Sequence, residues 1–261
     1  SVRRSTDAGA SWSSIGFEVT GEDSGDRGYL WRGIAGSPDG MSLVLVSDHS
    51  PNYDDSEGPR VREPSIWTSS DAGDTWVEVV GPLPEVWETE SGREMYGWSG
   101  VASWSNGQFV LISDNAGNLW RSSNYGADWT ELSTGLGFHP VGMSASAAGE
   151  VIALANRDGT SLWLSYDQGE TWQVPDDAPF GSMVDVSADG TTVVTGSSFT
   201  GEIWISFDGG LVWEDRTPVG YTVSDFGDAW NGFVSGVSVS ADGQHVAVSS
   251  GIGSILVSSD A

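Results

Sequence analysis

One phrase recurs along the chain and constrains its fold more than any other feature. The pattern S-x-[DN]-x-G-x-x-W appears as STDAGASW at 5–12, SSDAGDTW at 69–76, SSNYGADW at 122–129, SYDQGETW at 165–172 and SFDGGLVW at 206–213, and SSDA closes the chain at 258–261. A phrase that returns every roughly 40 to 65 residues marks one supersecondary unit per copy, stacked on its neighbours because no unit can bury its apolar face alone.

The flanking residues define that unit. Each copy follows an apolar run, SIWTSSD, NLWRSSN, SLWLSYD, EIWISFD or SILVSSD, with Trp67, Trp120, Trp163 and Trp204 at one equivalent position and Leu256 in the last. This is strand chemistry. Upstream lies a second phrase, GIAGSPDG at 33–40, GVASWSNG at 100–107, GMSASAAG at 142–149, MVDVSADG at 183–190 and GVSVSADG at 236–243. Its Asp-Gly or Asn-Gly ending predicts a two-residue hairpin turn, since these residues tolerate the positive φ such turns require. A further apolar run follows each of these turns, and another follows the Trp, as in TWVEVV. The unit is therefore four antiparallel strands, A to D, with the A–B turn at Asp-Gly and the C–D turn at the Trp phrase. Repetition of such meanders predicts an all-β chain folded as a β-propeller, with five blades visible.

Small residues at Ala35, Ala102, Ser144 and Ser238, with Asp185 in the fourth copy, suit innermost strands that crowd around an axis. The repeat units fall near residues 29–80, 96–132, 138–174, 180–214 and 232–261, closed or continued by 1–16, and 1–261 reads as a single propeller domain. The last phrase stops before its Gly and Trp, and Ser1 opens without a leader, so an excerpt of a longer chain is the expectation.

In the phrase itself, Asp7, Asp71, Asp167 and Asp208, with Asn124 in the third copy, are expected to accept backbone N–H bonds from about two residues on. The Gly permits a left-handed backbone. Trp12, Trp76, Trp129, Trp172 and Trp213 bring a large apolar body to bury between sheets and an indole N–H that needs a partner. Asn124 with Asp128, and Leu211-Val212, depart from the pattern, which predicts looser turns there. The phrase resembles the Asp box, or bacterial neuraminidase repeat, of the propellers of sialidases, xyloglucanase-type glycoside hydrolases, sortilin-type receptors and photosystem II assembly factors. The resemblance spans nearly the whole chain and implies a propeller whose boxes are structural turns, with function lying elsewhere.

The charge balance narrows the partners. With 37 acidic against 10 basic residues, all Arg, the net charge is −27, which disfavours nucleic acid and anionic membrane and favours cationic partner surfaces. Absence of Cys excludes disulfides, thiolate metal sites and cysteine nucleophiles. No apolar run approaches the ~18 residues of a membrane-spanning helix, so membrane insertion is not expected. An extracellular or cell-surface location is the expectation.

In this meander the A–B and C–D turns share one end of each sheet, and the B–C and D–A connections share the other. Length variation is confined to the second set, at residues 17–28, 48–64, 81–95 and 215–231. Irregular loops on one end of a rigid scaffold commonly carry binding. They hold Asp54, Asp55, Glu57, Glu85, Glu88 and Glu90 near aromatics, with Arg60, Arg62 and Arg93 interspersed. Box and strand C positions absorb nine of the fourteen Trp, and among the aromatics without such a role Tyr53, Trp87, Tyr96, Trp98 and Trp230, followed by Trp31, are the candidate binding residues for a protein or glycan. The alternative is that these aromatics anchor their own loops. Asp54, Asp55 and Glu57 are the candidate Ca²⁺ ligands, though without EF-hand spacing, and no motif requires a cofactor.

A glycosidase needs two carboxylates facing each other across a sugar. Asp185 is the one acid placed near the axis, which makes it the candidate catalytic residue, against the alternative of a carboxylate paired with Arg or lying in a wet channel. VREP at 61–64 lies on a B–C loop, out of place for a sialidase arginine, and His49, His139 and His245 fall in different units. The expected function is a non-catalytic propeller that binds a protein or glycan through its B–C/D–A loop end. The alternative is a xyloglucanase- or sialidase-like glycoside hydrolase acting on polysaccharide.

Overall fold

A computed structural model of the chain describes residues 2–7, 9–15, 30–48, 64–79, 81, 87–88, 94–95, 97–132, 139–156, 158–218, 234–251 and 254–258. All regular structure among these residues is β. The strands are β1 (Val2–Arg4) and β2 (Ser13–Ile15), β3 (Leu30–Gly36), β4 (Leu43–Asp48), β5 (Ile66–Ser69) and β6 (Val77–Val79), then β7 (Trp87–Glu88) and β8 (Glu94–Met95). Next come β9 (Trp98–Trp104), β10 (Phe109–Asp114), β11 (Leu119–Ser122) and β12 (Thr130–Leu132), followed by β13 (Pro140–Ala145), β14 (Ile152–Asn156) and β15 (Leu162–Ser165). The last two groups are β16 (Met183–Val186), β17 (Val193–Gly196), β18 (Ile203–Ser206) and β19 (Glu214–Asp215), and β20 (Val234–Val239), β21 (Val246–Ser250) and β22 (Ile255–Ser258).

Five antiparallel meanders result, β3-β4-β5-β6, β9-β10-β11-β12, β13-β14-β15, β16-β17-β18-β19 and β20-β21-β22, here called blades 1 to 5. Four strands were expected in each. In blade 3 the fourth position shrinks to a single bridge, Leu164 with Gln173, and blade 5 has three described strands. The hairpin β1–β2 is a sheet of its own, set beside blade 1 by an ion pair from Arg4 to Asp74.

The core lies between blades. One apolar cluster joins Val46 and Ile66 of blade 1 to Trp98 and Val101 of blade 2, and similar clusters join blades 2 and 3, 3 and 4, and 4 and 5. Second strands read as continuous apolar runs because both their faces are covered, and β10, β14 and β17 are buried over nearly their whole length. Third strands show the same dependence on a neighbouring sheet. Ile66, Leu119, Leu162 and Ile203 are buried, whereas the equivalent Ile255 on β22 is 71% exposed.

Outside blade 2, where Asn106 and Gly107 both have the expected positive φ, the A–B turns differ from the expected two-residue hairpin. In SPDG the Gly40 N–H donates to the Ser37 carbonyl at 2.8 Å, and only Gly40 has positive φ, so Ser-Pro-Asp-Gly is a type I turn inside a four-residue loop. Ser37 closes that loop, its Oγ donating to Asp39 and accepting from the Ser42 N–H at 2.9 Å. Ser187 and Ser240 repeat both bonds, and Ser146 repeats the second. The same Ser-x-Asp device closes the C–D turns. Ser69 Oγ donates to Asp71 and accepts from the Gly73 N–H at 2.8 Å, while Asp71 accepts both the N–H and the hydroxyl of Thr75, four residues on rather than two.

The third and fifth boxes are not equally altered. Asn124 Oδ1 accepts the Asp128 N–H at 2.8 Å and its Nδ2 donates to the Asp128 carboxylate at 2.8 Å, so the exchanged pair restores by reversed polarity the bond that Thr75 makes in the second box. That turn is as fully bonded as its neighbours, contrary to expectation. In the fifth, Val212 has no hydroxyl, and Asp208 accepts two backbone N–H groups, from Leu211 and Val212. The box Trp residues are half-buried except Trp12, which at 61% exposed lies on a two-stranded hairpin with no described sheet over it. Trp76 and Trp213 donate their indole N–H to the box Gly carbonyl, whereas those of Trp129 and Trp172 are buried without a partner.

Candidate functional site

The A–B turns of successive blades meet around the axis. Ser105 N–H donates to the Ala147 carbonyl at 2.7 Å, Ala147 to Ala188 at 2.8 Å, and Ala188 to Ala241 at 3.1 Å, a backbone relay from blade 2 to blade 5. Blade 1 has Pro38 at the equivalent position, and proline has no N–H to donate. Inside this rim lies a cavity of about 360 Å³ lined by all five innermost strands. The small strand A residues anticipated from the repeat, Ala35, Ala102 and Ser144, form part of its wall.

Asp185 is on that wall, half-buried. Its Oδ1 accepts the Ser144 hydroxyl at 2.6 Å and its own neighbour's N–H, from Val186, at 3.0 Å, and its Oδ2 accepts the Val239 N–H at 2.8 Å. It thus ties the innermost strands of blades 3, 4 and 5 together. No Arg pairs with it among the described residues, so of the two alternatives to a catalytic role, a place in the channel fits and an arginine pair does not. Ser103, also on the wall, has a buried hydroxyl with no hydrogen-bond partner.

Carboxylates crowd the end of the molecule where these turns lie. Asp7 and Asp71 are held down to about 2, chiefly by the hydroxyls of Ser11 and Thr75. Asp39 and Asp242 are lowered first by Ser37 and Ser240, Asp167 by the Thr171 hydroxyl, and Asp189 and Asp208 by the N–H groups of Thr191 and Val212. Each of these is a turn aspartate, so the turn end keeps its negative charge well into acid.

The loop-bearing end is built otherwise. Asp48, 5% exposed, accepts two bonds from Arg32 and one from Asn115 at 3.5 Å. Asp114, fully buried, accepts the N–H groups of Ala116 and Asn118 at 2.9 Å. Of the candidate binding residues, Tyr53, Tyr96 and Trp230 lie outside the described residues, as do Asp54, Asp55 and Glu57 of the candidate Ca²⁺ site. Trp87 is placed only by its backbone, on β7. Trp31 is half-buried on β3. Trp98 is a correction: it is 1% exposed in the blade 1–2 core, and a side chain so enclosed is a packing group rather than a contact residue. The described residues contain no cluster of three or more His, Cys, Asp or Glu able to hold a metal ion.

Sequence reasoning singled out Asp185 but missed Ser103 and the relay. The only signal for the relay was the small residue two places before the turn Gly in blades 2 to 5, which reads equally well as packing, and Ser103 carried no signal.

No family model matches the chain. A xyloglucanase from Paenibacillus sp. is 27% identical in an alignment of 212 residues that covers 70% of this chain and 20% of that relative, so the chain spans about a fifth of its length. Among solved structures, YCF48 bound to D1 peptide superposes with a TM-score of 0.54 at 14% identity, over 89% of this chain and 78% of that one. An ancestral GH74 enzyme gives 0.55 at 16%, over 88% and 30%, and a nidogen/laminin complex gives 0.56 at 11%, over 85% and 72%. At these identities the structural likenesses speak to fold.

Proposed function

From the premise that the chain is an Asp-box β-propeller, we propose that it is a non-catalytic binding module for a protein partner with a basic surface, read through the loop-bearing end. The observation that carries this is the contrast between the ends. At one end the described A–B and C–D turns are nearly all closed by the same serine device, and at the other each described segment uses different residues, Arg32 with Asp48, Asp114 with Asn118, or Ser182 with Ser198. Variation on a rigid scaffold is what recognition requires. Two of the similar structures are complexes, YCF48 with D1 peptide and nidogen with laminin, which supports a protein or peptide as the bound species. The net charge of −27 favours a basic one.

One observation favours a second reading, the sequence likeness to a xyloglucanase, under which the chain belongs to a glycoside hydrolase. Peptide and glycan arrays probed alongside a reducing-sugar assay on xyloglucan separate the two. Binding to basic peptides without sugar release is expected. Release of sugar that Asp185→Asn abolishes would sink the binding reading.

A further inference from the structure

We propose that the cavity at the turn end of the axis is a cation site, which takes the guanidinium or alkylammonium tip of a ligand at Asp185. This site is at the opposite end from the loops and does not rest on the reading above.

Two features of the cavity specify the ligand. Asp185 is a half-buried carboxylate with no arginine paired to it, and its three accepted hydrogen bonds leave room for a fourth on Oδ2. Much of the remaining wall is alanine, valine and methionine, apolar surface suited to the methylene stem of an arginine or lysine side chain. A group with an aliphatic stem and a charged multi-donor tip satisfies both, whereas a carboxylate, phosphate or uncharged sugar would meet a like charge or leave the carboxylate unpaired.

The surroundings favour the same sign. Asp39, Asp189 and Asp242 directly follow the rim residues Pro38, Ala188 and Ala241, and hydrogen bonds in their own turns keep them ionised. Such a ring raises the local concentration of cations at the mouth. The relay from Ser105 to Ala241 fixes the rim in place without side-chain bulk.

The test is calorimetric titration of the protein at low ionic strength with the tripeptide Ac-Gly-Arg-Gly-amide, its citrulline counterpart and free agmatine. Saturable binding of the arginine peptide is expected, weaker by about ten- to hundredfold for citrulline, which keeps the shape and loses the charge. Asp185→Asn should weaken the arginine peptide similarly. Because that variant also loosens a tie between three blades, Ala241→Trp provides a second arm, plugging the mouth from an exposed rim position with Asp185 intact. It should melt like the wild type and lose the peptide. Agmatine binding as tightly as the peptide identifies a free small cation as sufficient ligand, and peptide binding alone identifies a side chain presented on a backbone. Absence of saturation by either probe, equal affinity for the citrulline peptide, or undiminished binding to Ala241→Trp would each overturn the proposal.

Discussion

Gly40 and Gly97 stand at opposite ends of the same scaffold and are glycine for different reasons. At the turn end, Gly40 has φ near +71° and nothing within 4 Å of where a Cβ would sit, so conformation alone demands it. At the loop end, a Cβ on Gly97 would lie 1.7 Å from Asp48 Oδ1, so space demands it. The turn end is specified by short-range backbone chemistry that recurs from blade to blade. The loop end is specified by side-chain contacts that change from blade to blade, some within a blade, as Arg32 with Asp48, and some between blades, as Asn115 with Asp48.

That contrast yields predictions of decreasing size. The largest concerns Trp104, which closes strand A of blade 2, is 0% exposed, and stacks on Phe109 at 5.5 Å. Trp104→Ala should destabilise the fold by about 3–5 kcal/mol, measured by chemical denaturation. A loss near that of an exposed position would mean the turn end does not depend on its core anchor.

Gly97→Ala comes next, at about 1–3 kcal/mol, because the buried Asp48 is bonded to Arg32 and cannot swing away freely. Combined with Asp48→Ser it should cost less than the sum of the two single changes, a coupling that a double-mutant cycle reads directly. Strict additivity would remove the steric account. Gly40→Ala should cost about 1 kcal/mol with no such coupling, as expected of backbone strain alone.

The turn end should also reveal itself in acid. Asp7 and Asp71 titrate near 2 in the folded state and close to the ordinary carboxylate value when unfolded. A depressed folded value adds stability above the unfolded value that is lost as pH falls through the folded one. Stability from these turns should therefore decline from about pH 4 down to about pH 2. Carboxyl chemical shifts followed by NMR would show it, and midpoints near 4 for Asp7 and Asp71 would contradict the turn geometry.

The smallest effect is expected at Arg121, which donates to the Gln168 carbonyl at 2.9 Å and pairs with Glu170 across the blade 2–3 boundary. Arg4 and Asp74 occupy the same two positions of the repeat two boundaries away, between the hairpin β1–β2 and blade 1. The partner acid is largely exposed, so Arg121→Ala should cost less than ~1 kcal/mol, and less still in high salt. A salt-independent loss would show that the carbonyl bond and packing carry the contact.

Much of the fold was legible because its signals are local. The box, the Asp-Gly turn and the Trp of strand C each lie within eight residues, and each carries its own hydrogen-bond or burial logic. The serines at the head of both turns were legible too, since Ser precedes the Asp by two places in most copies, but the Asp alone was read as the closing group. Trp98 shows the limit. Lacking a counterpart in most repeats, it read as spare and therefore exposed, yet irregularity in one repeat says nothing about which sheet face a side chain occupies. Ser99 next to Trp98 is an extra residue on β9 opposite Ser113 and Asp114, a bulge that β3, β13 and β20 share, and such a register change turns a side chain toward the other face.

The sequence by itself determined the class, the number of visible blades and the chemistry of the turns, since these depend on patterns within one unit. Tertiary structure decided which tryptophans are buried, how blades are bonded edge to edge, and that Asp185 meets Ser144 and Val239 beside a cavity. Those partners lie 41 and 54 residues from Asp185 along the chain, and they come together only because successive units turn about an axis. A strand presents two faces and a turn presents one rim, and what each meets is set by the neighbouring blade, whose position no local pattern encodes.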